Sequence, residues 1–245
     1  MITILILITF SWIVLRLAGE KLNCLGLLPT NTRSLEFIIG FLSLSFFAMV
    51  YYVMFIMALN AEVRINNSYS LPEFISSSWW TLRSILFEEL LFRGALLVLA
   101  MKYLGKLRGI FLSSFVFGIF HWFSYDIFGD IPQVICTLII TGVGGIAFAF
   151  AFAQTKSLYL PIGLHFGWNL VTITVFSQGP LGDQLLVSST DKTLDGWWSL
   201  ISFFYQIILL PTVTFFYLKI FKKDGIFASS IFQQILTRRI IKKNG

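Results

Sequence analysis

The sequence predicts an all-α, polytopic membrane helix bundle of about seven transmembrane helices, and three observations carry that prediction. The chain of 245 residues is 57% hydrophobic and only 12% charged, about half the charged share of an average soluble domain. Its apolar residues gather into runs of about 20, the length that crosses a bilayer as a helix. The basic residues sit mainly between those runs and in the C-terminal tail. Because backbone polar groups in hydrocarbon must be satisfied within the segment, the runs read as helices rather than open sheet.

Taken in order, the spans fall at 2–18, 35–59, 76–101, 109–125, 132–154, 158–177 and 197–220. The first, "ITILILITFSWIVL", has no basic residue before it and no small-residue cleavage site after it, so it reads as a retained helix rather than a signal peptide. Alternate connections differ sharply in charge. One side carries Lys21, Arg33, Lys102, Lys106, Arg108 and Lys156, followed by the tail's Lys219, Lys222, Lys223, Arg238, Arg239, Lys242 and Lys243. The other side carries Arg64 and Lys192 alone. Excess Lys and Arg stay cytoplasmic, which predicts the N-terminus outside and the C-terminus in the cytoplasm. Residues 1–245 then form a single transmembrane domain. The basic tail at 221–245 has apolar residues at Ile226, Phe227, Ile231, Phe232, Ile235 and Ile240, and is either an amphipathic helix on the inner leaflet or a frayed end.

Other features bound the function classes. The net charge of +6 does not come from a soluble basic domain, so the bilayer is the expected partner and nucleic acid is not. Cys24 and Cys136 have neither CxxC nor zinc-type spacing and read as ordinary small residues. The glycine-rich "TGVGGIAFAFA" at 141–151 suits close helix packing. Trp79, Trp80 and Trp122 read as interface anchors and Trp168 as packing.

Against this apolar background "LFEELLFRG" at 86–94 stands out. An ionised carboxylate at a helix centre costs about 2.5–3.5 kcal/mol on insertion scales, so two adjacent ones require a reason. Glu89 and Arg93 are four residues apart, on one helix face, and are expected to pair. Glu88 is rotated about 100° from Glu89 and lacks that partner. A lone buried carboxylate is suited to act as a general base, so Glu88 is the better catalytic candidate and Glu89 the better structural one. A purely structural network of both with Arg93 and Arg83 is the alternative at this stage.

The chain has two histidines, and both fall within apolar spans. His121 follows Phe117 by four residues, and His165 precedes Asn169 by four, which puts His165 and Asn169 on one face. Counted along each helix from its inner end, Glu88 lies about 20 Å deep, His121 about 18 Å, His165 about 10 Å and Asn169 about 16 Å, compatible with one shared layer. Such a layer holds a carboxylate and a histidine to activate water, with neutral donors for an oxyanion. Equally, Glu88, His121 and His165 are a donor set for a divalent metal such as zinc, and the residues leave open whether a metal or none is used. No HExxH helix and no GxSxG elbow is present.

The trio "EELLFR" (88–93), "FGIFH" (117–121) and "HFGWN" (165–169) resembles the EExxxR, FxxxH and HxxxN motifs of the CAAX proteases and bacteriocin-processing enzymes, the CPBP family of type II CAAX prenyl endopeptidase-like proteins. The resemblance covers roughly residues 75–177. It implies an intramembrane endopeptidase acting on a membrane-associated or lipidated protein or peptide. Glu88 and His121 would activate water, His165 and Asn169 would stabilise the oxyanion, and Glu89, Arg93 and Phe117 would support them. The family is described both as a metalloprotease and as a metal-free glutamate protease. The charge bias fits a bacterial plasma membrane at least as well as an organelle. Two other classes compete: a non-catalytic membrane protein, such as a bacteriocin immunity factor or scaffold, and a transporter. The first would be marked by loss of a motif residue, and none is lost; the second calls for two related halves with broken helices, a symmetry the sequence does not show.

Overall fold

A computed structural model describes residues 2–189 and 194–221. The tail at 222–245, with its proposed surface helix and most of its basic residues, lies outside the described residues, as does Lys192. In chain order the α-helices are α1 (Ile2–Leu17), α2 (Asn31–Leu59), α3 (Leu71–Arg93), α4 (Ala95–Leu104), α5 (Lys106–Ser124), α6 (Ile131–Thr155), α7 (Tyr159–Asn169) and α8 (Gly196–Phe221). A short 3-10 turn occupies Leu22–Leu25, and π-helical turns continue α7 over Leu170–Val175.

Eight helices among the described residues replace the expected seven, because the third span is broken at Gly94. At the break Gly94 adopts a backbone geometry that only glycine fits, since a Cβ there would collide with the Leu90 carbonyl oxygen. Two-stranded pairing is the second departure from an all-α chain. Strands β1 (Val63–Ile65) and β2 (Leu186–Ser188) form an antiparallel ribbon in the register Val63↔Ser188, Arg64↔Val187 and Ile65↔Leu186.

Local signals set several helix starts and stops. The Thr30 hydroxyl accepts from Arg33 N–H at 3.2 Å to begin α2. Ser70 and Glu73 form a capping box at the start of α3, and Asp130 caps α6 by accepting from Gln133 N–H at 3.0 Å. Asn60 and Lys156 close α2 and α6 in the left-handed conformation, at φ 47° and 54°.

Helices α2, α5, α6 and α8 are long and apolar enough to cross a membrane, and α1 is a shorter apolar helix of 16 residues. With these helices the chain is an integral membrane protein. Helix α3 escapes the same description because Arg83, Glu88, Glu89 and Arg93 interrupt its apolar run. Connections sort into two groups by contact. Lys102 Nζ donates to the Ala18 carbonyl at 2.8 Å and to Glu20 Oε1 at 2.7 Å, while Leu158 N–H and the Tyr159 hydroxyl reach the Leu25 and Leu27 carbonyls at 3.2 Å each. The β1–β2 ribbon joins the α2–α3 connection to the segment before α8. Helix α2, with 29 residues, separates these groups by about 43 Å.

Packing of α7 on α2 fixes the centre of the bundle. Gly163 and Gly167 are four residues apart and share a face, and a Cβ at either would strike α2 backbone, at the Phe37 and Phe41 carbonyls respectively. The opposing Gly40 leaves room for α7 in return: its Cβ would lie 2.9 Å from Leu164 N. His165 is two residues from each α7 glycine, about 200° around the helix, and so faces away from α2. Glycines also bring α5 and α6 together, where a Cβ at Gly145 would press on Ser114 and Phe117 at 3.1 Å.

Candidate active site

The buried polar cluster is built on α3, α5 and α7. Helix α3 supplies Glu88, Glu89 and Arg93, with Glu89 and Arg93 fully buried. As their spacing predicts, Arg93 Nη1 donates to Glu89 Oε1 at 3.3 Å. The same oxygen accepts from His165 Nδ1 at 2.9 Å, a contact that no spacing within one helix reveals. Arg93 also lies over the Phe117 ring, with its guanidinium carbon 3.9 Å from the centroid, and 5.1 Å from that of Phe148. These faces are attractive to a cation and offset part of its desolvation. Arg93 Nε and Nη2 have no hydrogen-bond acceptor among the described residues.

Glu88 points to a different set of partners. Its Oε2 lies 3.8 Å from His165 Nε2 and 4.0 Å from His121 Nε2, and accepts no direct hydrogen bond among the described residues. Both separations are too long for direct bonds. His121 Nδ1 is 2.8 Å from the Phe117 carbonyl oxygen, which can only accept, so Nδ1 carries the proton and the neutral ring presents a bare Nε2 toward Glu88. His165 is oriented by the other glutamate, with Nδ1–H donating to Glu89 and Nε2 toward Glu88. Its ring stacks on Phe148 at 4.9 Å and 19°.

Thus Phe117 supports the cluster through its carbonyl on His121 and through its ring, which meets both Arg93 and the His121 imidazole. Asn169, at the end of α7, lines a cavity of about 160 Å³ together with His121, His165, Tyr125, Thr141 and Gln206. Depth counted along separate helices underrated how closely His165 approaches Glu88, whose Oε2 lies 3.8 Å from His165 Nε2. Arg83 is exposed, beside Trp80 and Ser84 in a groove between α1 and α3, and takes no part in the ion pairs of the cluster. Trp168 packs on Tyr51 at 5.6 Å, and Trp122 donates to the Val134 carbonyl at 2.9 Å, tying α5 to α6.

Tyr125, Thr141, Phe148 and Gln206 were not found by reading the sequence. Gln206 left a trace, since it is the single amide side chain in the apolar α8. Phe148 left none among the chain's 27 phenylalanines.

The fit of a metal can be tested on the same distances. A tetrahedral ion with bonds of 2.0–2.1 Å keeps its ligand atoms about 3.4 Å apart. Glu88 Oε2 is farther than that from both Nε2 atoms, and among the described residues no group of three or more His, Cys, Asp or Glu is disposed to hold a metal ion.

Fold and cluster together define a helical integral membrane protein with a carboxylate–histidine site buried between its helices. Residues 70–171 match the family model for Type II CAAX prenyl endopeptidase Rce1-like proteins. The match spans all three motifs and agrees with the resemblance read from them, and it points to a protease. Comparison with curated proteins and with solved structures gave no match.

Proposed function

We propose that this chain is an intramembrane endopeptidase that hydrolyses a peptide bond in a membrane-associated or lipidated protein or peptide. The observation that carries the proposal is the facing of Glu88 Oε2 by the Nε2 atoms of His121 and His165, at 4.0 and 3.8 Å. A water held about 2.8 Å from each of these atoms completes the set with ordinary hydrogen bonds.

In this mechanism Glu88 takes a proton from the water as the oxygen attacks the scissile carbonyl, and His121 Nε2 accepts a hydrogen bond from the O–H that remains, which orients the lone pair. His165 donates from Nε2 to the oxyanion as an imidazolium, its Nδ1–H satisfied by Glu89. Asn169 adds a neutral donor from the same cavity. The proton on Glu88 then passes to the leaving amine, which releases two peptide products and restores the carboxylate. No step uses a metal. Arg93 holds Glu89, which in turn holds His165, so the ion pair positions the donor without touching substrate.

The contact groups among the connections support a topology in which Lys21, Lys102 and Lys156 lie on the cytoplasmic side, of a bacterial plasma membrane by the charge bias. The test is a comparison of new protein and peptide ends in membranes carrying the wild-type chain or Glu88→Gln. Cleavage present only with the wild type is expected. Cleavage that persists in a folded Glu88→Gln protein overturns Glu88 as the base.

A further inference from the structure

Helix α8 lies beyond the segment matched by the family model, yet it contributes Gln206 to the wall of the same cavity as His121, His165 and Asn169. The Gln206 amide is held in a defined orientation. Its Nε2 is 3.3 Å from the Ser202 carbonyl oxygen and 3.3 Å from the Tyr51 hydroxyl. A carbonyl can only accept, so the atom beside it must be the amide nitrogen, which fixes the other terminal atom as the oxygen. The hold itself is braced, because the Tyr51 and Ser202 hydroxyls bond each other at 2.7 Å and join α2 to α8. The described hydrogen bonds use Gln206 Nε2 and leave Oε1 uncommitted.

A peptide drawn into this cavity brings N–H donors as well as carbonyls. In a membrane-buried site each unpaired N–H is costly, so a fixed acceptor is needed beside the donors that serve the oxyanion. His165 and Asn169 fill the donor role in the proposed mechanism, and Thr141 already donates its hydroxyl to the Thr137 carbonyl at 2.6 Å. The volume of about 160 Å³ is below the 300–1,000 Å³ of drug-sized pockets, so it suits a short stretch of extended chain rather than a bulky ligand. Within that space an acceptor on the wall is within reach of the chain flanking the scissile bond.

We infer that Gln206 is a substrate-positioning residue whose Oε1 accepts a backbone N–H of the peptide next to the scissile bond. This rests on the peptidase reading above. It assigns α8 a part in substrate binding that the three motifs do not contain.

The experiment uses the full chain in liposomes and a fluorogenic peptide ending in a farnesylated cysteine and three further residues, with each amide flanking the cleaved bond replaced in turn by an ester. In the wild type, one ester raises KM by about five- to tenfold, the effect of one lost neutral hydrogen bond, with kcat nearly unchanged. Gln206→Met raises KM of the all-amide peptide by the same factor and is indifferent to that ester. Gln206→Glu retains an oxygen acceptor and so keeps its sensitivity to the ester. If the methionine variant does not fold, Gln206→Asn, which withdraws the acceptor by one methylene, takes its place. Ester and side-chain effects that multiply independently, or a KM unchanged by either acceptor-removing variant, overturn the inference while leaving the peptidase reading intact. Absence of any Glu88-dependent cleavage by the wild type overturns the peptidase reading, and this inference with it.

Discussion

The Glu89–Arg93 pair offers the sharpest test of how the cluster is held together. Both side chains are fully buried, and the 3.3 Å contact is their shared charge pairing. Glu89→Gln keeps the shape and removes the charge, leaving the Arg93 guanidinium without its nearest counter-ion. Breaking a buried pair from one side costs about 3–5 kcal/mol. Glu88 remains as a second acid near Arg93, so the lower end applies, about 3 kcal/mol, or roughly 6–12 °C in melting temperature for a chain of this size. Arg93→Met has a similar cost, since it strands the Glu89 carboxylate with His165 as its remaining partner. The double variant removes both charges, and its midpoint should recover to within about 1.5 kcal/mol of wild type, because an apolar replacement of a buried pair is often close to neutral. The assay is thermal unfolding in detergent followed by size-exclusion fluorescence, with the two single variants and the double variant completing a cycle. A double variant as destabilised as the sum of the singles would refute the coupling, and with it the idea that Arg93 is retained through Glu89. Activity gives a separate readout: the double variant should stay folded yet cleave poorly, since His165 loses the carboxylate on Nδ1.

Three further outcomes follow from the geometry. Gly167→Ala places a Cβ against the Phe41 carbonyl and should cost about 1–3 kcal/mol by overpacking; Gly142→Ala, whose nearest neighbour is the Ser114 carbonyl oxygen at 3.9 Å, should be neutral in the same melt. A chelator should leave Glu88-dependent cleavage unchanged, given the wide Glu88–histidine separations; activity lost to the chelator and regained with zinc would show that the donors close around an ion. At the exposed start of α3, the Ser70 backbone N–H, followed by its hydroxyl, holds the Glu73 carboxyl below the usual carboxylate range. A depressed pKa contributes stability above the unfolded value, about 4.3, and that contribution is lost as pH falls through the lowered one. Amide protection in the first turn of α3 should therefore drop on acidification through that range in wild type, but not in Glu73→Gln.

Much of the architecture was legible because hydrocarbon imposes simple rules. Apolar run length located α2, α5, α6 and α8, while the exact helix starts, set by caps such as Ser70 with Glu73 and Asp130, emerged only with the structure. The break at Gly94 was not legible, since one glycine within an apolar run is compatible with an unbroken helix, and only the folded backbone shows a geometry there that excludes a Cβ. The β1–β2 ribbon escaped notice for another reason: strands of three residues carry too little periodicity to register.

The sequence by itself determined the membrane class, the three motifs, and the pairing of Glu89 with Arg93, because helical periodicity alone says which residues of one helix share a face. Only the tertiary structure decided what each face meets. It placed His165 between the two glutamates, with Nδ1 toward Glu89 and Nε2 toward Glu88, and it brought Phe148 and Gln206 to the same place. These contacts join residues many positions apart, and they depend on how closely neighbouring helices approach. That approach is set by small residues such as Gly163 and Gly167, which admit the α2 backbone and so turn the opposite face of α7, with His165, toward the carboxylates.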